Sequence, residues 1–224
     1  MDSTIWAAVI SALSGVFGAY LGARMTTHTD QVKSERNELR SAQYLATLVA
    51  PDLDRFASQC LMISYDDGYE EGRPAGANGT CEATVHPLEF KPLDFNVDWK
   101  ALPGDLMKEV LTFPEKWHAV ADELSDDDGY DDPPEHSKFF ADRQYLYTKL
   151  GIEAVALSSR LFEETKLAVG PQGPTSLPAK LQARKLALEV ERAGAIARIE
   201  KCRRSAETVF SAPIPPMPTS AAEA

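Results

Sequence analysis

The pattern of hydrophobic and polar positions changes several times along this chain of 224 residues. The first stretch shows no alternation at all. Ser3 to Ala23, STIWAAVISALSGVFGAYLGA, is an uncharged run of 21 residues between Asp2 and Arg24. At a rise of ~1.5 Å per residue it would cover roughly 31 Å, the thickness of a bilayer's hydrocarbon core. Trp6 and Tyr20 lie near its ends, where amphipathic rings settle at the headgroup boundary. The run predicts a single transmembrane helix. Its n-region, MDST, carries an acid and no Lys or Arg, which argues against a removable signal peptide. Small residues recur along one side: Ala7, Ser11, Gly15 and Ala19 at intervals of four, with Gly18 and Gly22 in an adjoining row. Such a face lets helices approach closely in lipid, so these six positions are the candidates for helix association and the chain is expected to self-associate.

From Arg24 to about residue 65 the pattern becomes amphipathic. Leu45, Val49, Leu53, Phe56, Cys60 and Ile63 recur at spacings of three and four, one face of a helix that enters a bundle. Pro51 is expected to kink or restart this helix, with Asp52 in the new first turn. The helix is expected to stop near Asp66-Asp67-Gly68, where glycine supplies a left-handed cap. Residues 66–98 break the period. YEEGRPAGANGT reads as an exposed loop, and CEATVHPLEFKPLDFNVDW as extended chain laid across a bundle, with room for one short hairpin. Residues 99–209 return to helical spacing: a short helix after Pro103 that Phe113-Pro114 breaks, a second from Glu115 to Leu124, and a third reaching about Leu167 with Pro133 and Pro134 in its first turn. The third helix's expected buried face is Phe139, Leu146, Leu150, Ala154, Leu157 and Leu161. A fourth helix runs from about Ala179 to Val209, with Leu181, Leu188, Ala195, Ile199, Cys202, Ala206 and Val209 in register. Residues 210–224 form a Pro- and Ala-rich tail expected to be disordered. The fold class that follows is all-α: a transmembrane helix at 3–23, a juxtamembrane helix at 24–65, and an antiparallel bundle with long, coiled-coil-like helices.

Charge gives this architecture a direction. Arg24, Lys33, Arg36 and Arg40 follow the uncharged run, and no basic residue precedes it. The positive-inside rule then places the N-terminus outside and the helical body in the cytoplasm, at the inner membrane of a bacterial-type cell. Three widely spaced cysteines without a CxxC fit a reducing compartment, where the Asn78-Gly79-Thr80 glycosylation pattern has no role. The net charge of −11 disfavours nucleic acid as a partner, although the fourth helix is locally basic, with eight Lys or Arg against three Glu from Lys180 to Arg204.

Candidate chemistry is sparse. Asp66-Asp67-Gly68-Tyr69-Glu70-Glu71 is echoed by Asp127-Asp128-Gly129-Tyr130-Asp131-Asp132, and eight acids with no Lys or Arg lie between Asp122 and Glu135. Placed on a calcium-loop template, Gly129 takes the glycine position and Asp126, Asp128, Asp132 and Glu135 fall on ligand positions. Leu124 then occupies the first ligand position and Asp131 the usual apolar one, so the loop fails the template. Two solvated, helix-ending turns are the expected alternative. No pair of His28, His86, His118 and His136 has metal-ligand spacing, and there is no GxSxG, phosphate loop or local cysteine signature. The sequence therefore predicts no cofactor and a non-enzymatic interaction or scaffold domain whose partners are the lipid bilayer and further copies of itself. The alternative is a membrane-tethered sensor binding a divalent cation or small ligand at the acidic turns.

Overall fold

The computed structural model describes residues 2–126, 133–168, 170 and 173–210, with the side chains of 2–30, 126 and 206–210 left out of the description. The fold is all-α. Helix α1 (Asp2–Ile63) is followed by a two-stranded ribbon, β1 (Tyr69–Glu70) and β2 (Arg73–Pro74), then an extended segment with 3-10 turns at Pro92–Asp94 and Trp99–Ala101. Helices α2 (Gly104–Asp126), α3 (Ser137–Glu164) and α4 (Leu177–Phe210) complete it.

The core is built on α1. Leu45, Ala46, Val49, Ala50, Leu53, Ala57, Cys60 and Ile63 are fully buried, and Phe56 almost so. The face is the one its spacing predicts, and α3 packs along it in the opposite direction. Gln43 near the start of this face bonds the Thr165 carbonyl, and Cys60 lies against Gly151. Helix α2 packs antiparallel to α3, with Lys116 paired to Glu153 at 2.6 Å and Glu109 to Arg160. Phe113 meets Phe56 and Phe90 edge to face at centroid distances of 5.4 and 5.9 Å. The extended segment straps this assembly: Phe90 is 2% exposed, and Gln59 donates to the His86 carbonyl.

Several details differ from the sequence expectation. Pro51 neither ends nor restarts a helix; α1 runs through it unbroken. Its ring faces solvent, and the helical cost of about 3 kcal/mol is offset because Leu45, Val49, Leu53 and Phe56 on either side each gain roughly 1.5–3 kcal/mol from burial. Pro114 likewise sits inside α2, not at a break, between the buried Val110 and Phe113 and the buried Leu124. α1 ends at Ile63, and Gly68, with φ +79°, shapes the turn beyond it. The hairpin lies at residues 69–74, not within 81–98. Glu71 and Gly72 both adopt left-handed φ, 50° and 78°, the primed turn that suits the twist of a two-residue hairpin loop. Pro133 and Pro134 precede α3, which begins at Ser137. Its buried face is Phe140, Arg143, Tyr147, Leu150, Gly151, Ala154, Leu157 and Leu161; Phe139 and Leu146 are only half-buried.

Among the described residues no helix is long and apolar enough to cross a membrane. The side chains of Ser3–Ala23, the expected span, and the tail from residue 211 lie outside the described residues. The fold therefore establishes an all-α bundle without establishing the membrane-spanning helix.

Three helices come close together at Gly151. A Cβ there would meet the Cys60 Cβ at 2.8 Å and the Leu181 side chain at 3.1 Å, so α1, α3 and α4 converge on one missing side chain. Helix propensity alone favours alanine over glycine by about 1 kcal/mol, and Gly194 in α4, with open space around it, should gain that. We expect Gly151→Ala to lower stability by about 1–3 kcal/mol and Gly194→Ala to leave it unchanged or raise it. Urea denaturation of the two variants checks this; equal stabilisation by both would show that the crossing has slack.

Candidate functional site

The densest polar constellation gathers where α1 ends. Asp66 follows the last turn, with its amide bonded to the Ile63 carbonyl, and its side chain is 1% exposed. One carboxylate oxygen accepts from the Gly68 amide (3.1 Å) and the Thr84 hydroxyl (2.8 Å). The other accepts from the amides of Thr84 and Val85, both 3.0 Å, and from Arg143 Nη1 at 2.8 Å. Arg143 comes from α3, is itself 5% exposed, and spends Nη2 on the Val85 carbonyl. Its guanidinium lies 5.8 Å from the Tyr147 ring centroid.

A second layer ties in α4. Gln144 donates to the Asp66 carbonyl (2.8 Å) and accepts from Arg184 Nη2 (3.2 Å). Arg184 Nε donates to the Ser64 carbonyl at 2.9 Å, and its guanidinium stacks 4.7 Å from the Tyr65 ring. Gly68 must be glycine here on two grounds: its φ is positive, and a Cβ would meet the Phe140 ring at 2.4 Å and Cys81 at 2.8 Å.

Burial pushes the Asp66 carboxyl up, but the Val85 amide, the Thr84 hydroxyl, the Gly68 amide and Arg143 together outweigh it and hold the group below its ordinary value of 3.8. A carboxylate so saturated has no lone pair left for a cation and no proton to donate near neutral pH. The site is a clamp, and its product is a fixed junction between α1, the strap, α3 and α4.

The sequence-derived candidates fall partly outside the described residues. Asp66 is this structural anchor, and Asp67 caps its own turn by accepting from the Tyr69 amide. Asp128 and Asp132 lie outside the described residues, as does the Asp126 side chain; Glu135 is exposed ahead of α3. Among the described residues no three His, Cys, Asp or Glu side chains gather as a metal site requires. His28 lies outside the described side chains. His118 is exposed, and its ring lies 4.5 Å, centroid to centroid, from that of Trp117. His86 is exposed, and His136 takes a left-handed φ before α3. Ala7, Ser11, Gly15, Gly18, Ala19 and Gly22 fall within α1, their side chains outside the description. The three cysteines are free; Cys60 and Cys81 are buried and Cys202 is exposed, and burial pushes the Cys60 thiol far up, away from a reactive thiolate.

Arg143 is the member that sequence reasoning missed. The signal was present: it stands between Phe140 and Tyr147 at helical spacing, a charge on the apolar stripe. A groove of about 190 Å³ between α3 and α4, lined by Ile152, Val155, Ala156, Ser159, Pro178 and Gln182, carries no charged group and is smaller than typical ligand sites. No protein family, curated protein or solved structure matches the chain.

Replacing Asp66 by Asn leaves Arg143 buried without its counter-charge and should cost about 3–5 kcal/mol. The pH dependence has a definite sign. The folded carboxyl binds its proton less readily than the unfolded one, so its stabilisation is complete above about 3.8 and is lost as pH falls through the lower folded value. Urea midpoints should show the wild type's advantage over Asp66→Asn shrinking below that pH; an advantage constant from neutrality to pH 2.5 contradicts the clamp.

Proposed function

We propose that this chain is a non-enzymatic scaffold or interaction module held at a membrane by Ser3–Ala23, with its helical body in the cytoplasm and copies associating through the small-residue face of the span. The observation that carries the reading is the unbroken helix α1, Asp2–Ile63. The element that begins with the uncharged run is also the spine of the core, so an anchor at its start would hold the whole bundle at a fixed distance and orientation. The basic flank of the run supports the direction. Because the Asp66 carboxylate is saturated by Gly68, Thr84, Val85 and Arg143, the reading places recognition on the outer faces of the helices.

Cys202 offers a direct test of sidedness, since it is exposed while Cys60 and Cys81 are buried. In intact spheroplasts a membrane-impermeant maleimide should leave the chain unlabelled, and lysis should admit one label. The chain should resist carbonate extraction, and Gly15→Leu with Gly18→Leu should lower crosslinked oligomer severalfold. Labelling before lysis ends the cytoplasmic orientation, release by carbonate ends the membrane reading, and an unchanged oligomer yield ends association through the span.

A further inference from the structure

Helix α4 is apolar on its outer face as well as its inner one. On the inner side Leu181 and Leu188 are buried, and Arg192 pairs with Asp142 of α3 at 2.8 Å. On the opposite side Ala183, Leu186, Val190, Ala193 and Ala197 recur at intervals of three and four. All five are exposed, Leu186 by 62% and Val190 by 74%. This stripe holds no charge, although α4 carries eight Lys or Arg from Lys180 to Arg204. Gly194 borders it, and a Cβ there would meet nothing within 4 Å among the described residues.

We propose that this stripe docks on the same stripe of a second copy, helix parallel to helix, about a two-fold axis along α4. Written as a heptad, Ala183, Val190 and Ala197 take position a, and Leu186 and Ala193 take d. A β-branched residue at a with leucine at d suits parallel two-stranded pairs, and Ala187 and Gly194 at e leave room for close approach. Charge selects the direction. In the parallel pair Glu189 at g faces Gly194 of the other copy. One turn past the stripe, Glu200 at d already pairs with Arg204 of its own helix at 3.4 Å. Its hole on the other copy is lined by Lys201 and Arg204, so opposite charges meet. An antiparallel pair would instead set Glu189 against Glu189. A shared membrane imposes the same direction. α1 and α3 are antiparallel, and so are α3 and α4, so α4 points as α1 does, and an axis normal to the bilayer keeps both helices parallel to their counterparts. About two heptads is short for a dimer of free chains, whose stable interfaces bury ~1,200–2,000 Å²; anchoring in one bilayer raises the effective concentration. The inference therefore rests on the anchoring proposed above. It adds a contact at the end of the body away from the span, where Arg184 meets Ser64.

Disulfide scanning of the full chain in membranes tests it, in a background of Cys202→Ser with the buried Cys60 and Cys81 retained. Ala183→Cys, Leu186→Cys, Val190→Cys, Ala193→Cys and Ala197→Cys, made singly, should each give a linked dimer on mild oxidation. Their yields should exceed those of Glu191→Cys and Arg198→Cys, exposed on another side of α4, severalfold. Only a parallel pair brings every stripe position against its own counterpart, within the short reach of a disulfide. An antiparallel pair would link Ala183→Cys to Ala193→Cys and leave Ala183→Cys alone unlinked. Leu186→Asp with Val190→Asp should lower the Ala183→Cys dimer about tenfold without lowering the melting temperature, because both side chains are exposed within one copy. Equal yields at all these positions, no dimer at any, or linkage only between Ala183→Cys and Ala193→Cys overturns the proposal. Carbonate separates it from the reading beneath it. Release of the chain with the scanning pattern intact removes the anchor and leaves this contact standing. Loss of the pattern in a chain that resists extraction removes this contact alone.

Discussion

The junction at Asp66 is the constraint on which the arrangement of helices depends. A carboxylate and a guanidinium, each at least 95% shielded from solvent along its side chain, pay a desolvation cost that ion pairing by itself does not reliably return. What makes the pair tenable is saturation: five donors converge on the Asp66 oxygens. Two of these donors are consecutive backbone amides of the strap, so the strap cannot slide along α1 without abandoning a buried charge. An apolar contact tolerates such slippage; this junction does not. The end of α1, the crossing strap and the register of α3 are consequently set together.

Where the helices cross, the control is steric. Gly151 lets α3 approach both α1 and α4 closely, and the contact fixes their separation as Asp66 fixes their register. The two sites lie on the same stripe of α3: Arg143 reaches one and Gly151 the other, with Tyr147 and Leu150 buried between them. α4 joins through Arg184, whose donors reach α1's end and Gln144, and whose charge rests on Tyr65. One stripe of α3 thus positions both neighbours, by hydrogen-bond geometry at one point and by an absent side chain at the other.

Much of the fold was legible because burial follows spacing. The core face of α1 came directly from the recurrence of Leu45, Val49, Leu53, Phe56, Cys60 and Ile63, and the fourth helix was legible to within a few residues. The misreadings share a cause. Pro51 and Pro114 were weighed locally, as lost hydrogen bonds, whereas their helices persist because long-range packing on both sides outweighs that loss. The α3 face was read correctly from Leu150 through Leu161, but Phe139 and Leu146 set its first turns off the stripe that Phe140, Arg143 and Tyr147 occupy. The apolar stripe of Phe140 and Tyr147 marked the place of Arg143, but not its counter-charge, which lies 77 positions away in the chain. The candidate site was less legible for the same reason. An acidic turn looks alike in sequence whether its first aspartate is solvated or clamped, and only the amides of Thr84 and Val85, supplied by the strap, separate the two cases for Asp66.

The two ends of the bundle are finished differently, and this difference locates the chemistry left for function. Inside, the charges of Asp66 and Arg143 cancel in place, and the groove between α3 and α4 is lined by Ser159 and Gln182 as its polar groups, without a charge. Outside, α1 extends beyond the bundle at the end where Gln43 meets Thr165, and α4 extends beyond the opposite end, past the Arg192–Asp142 pair. Helices that end with their packing need no further partner. Helices that continue for several turns past it keep exposing the periodic face that packing used, as Ile199 does in line with Leu181 and Leu188. The Asp66 junction thus uses its polar groups internally, while α1 and α4 carry helical faces past the packed bundle at its two ends.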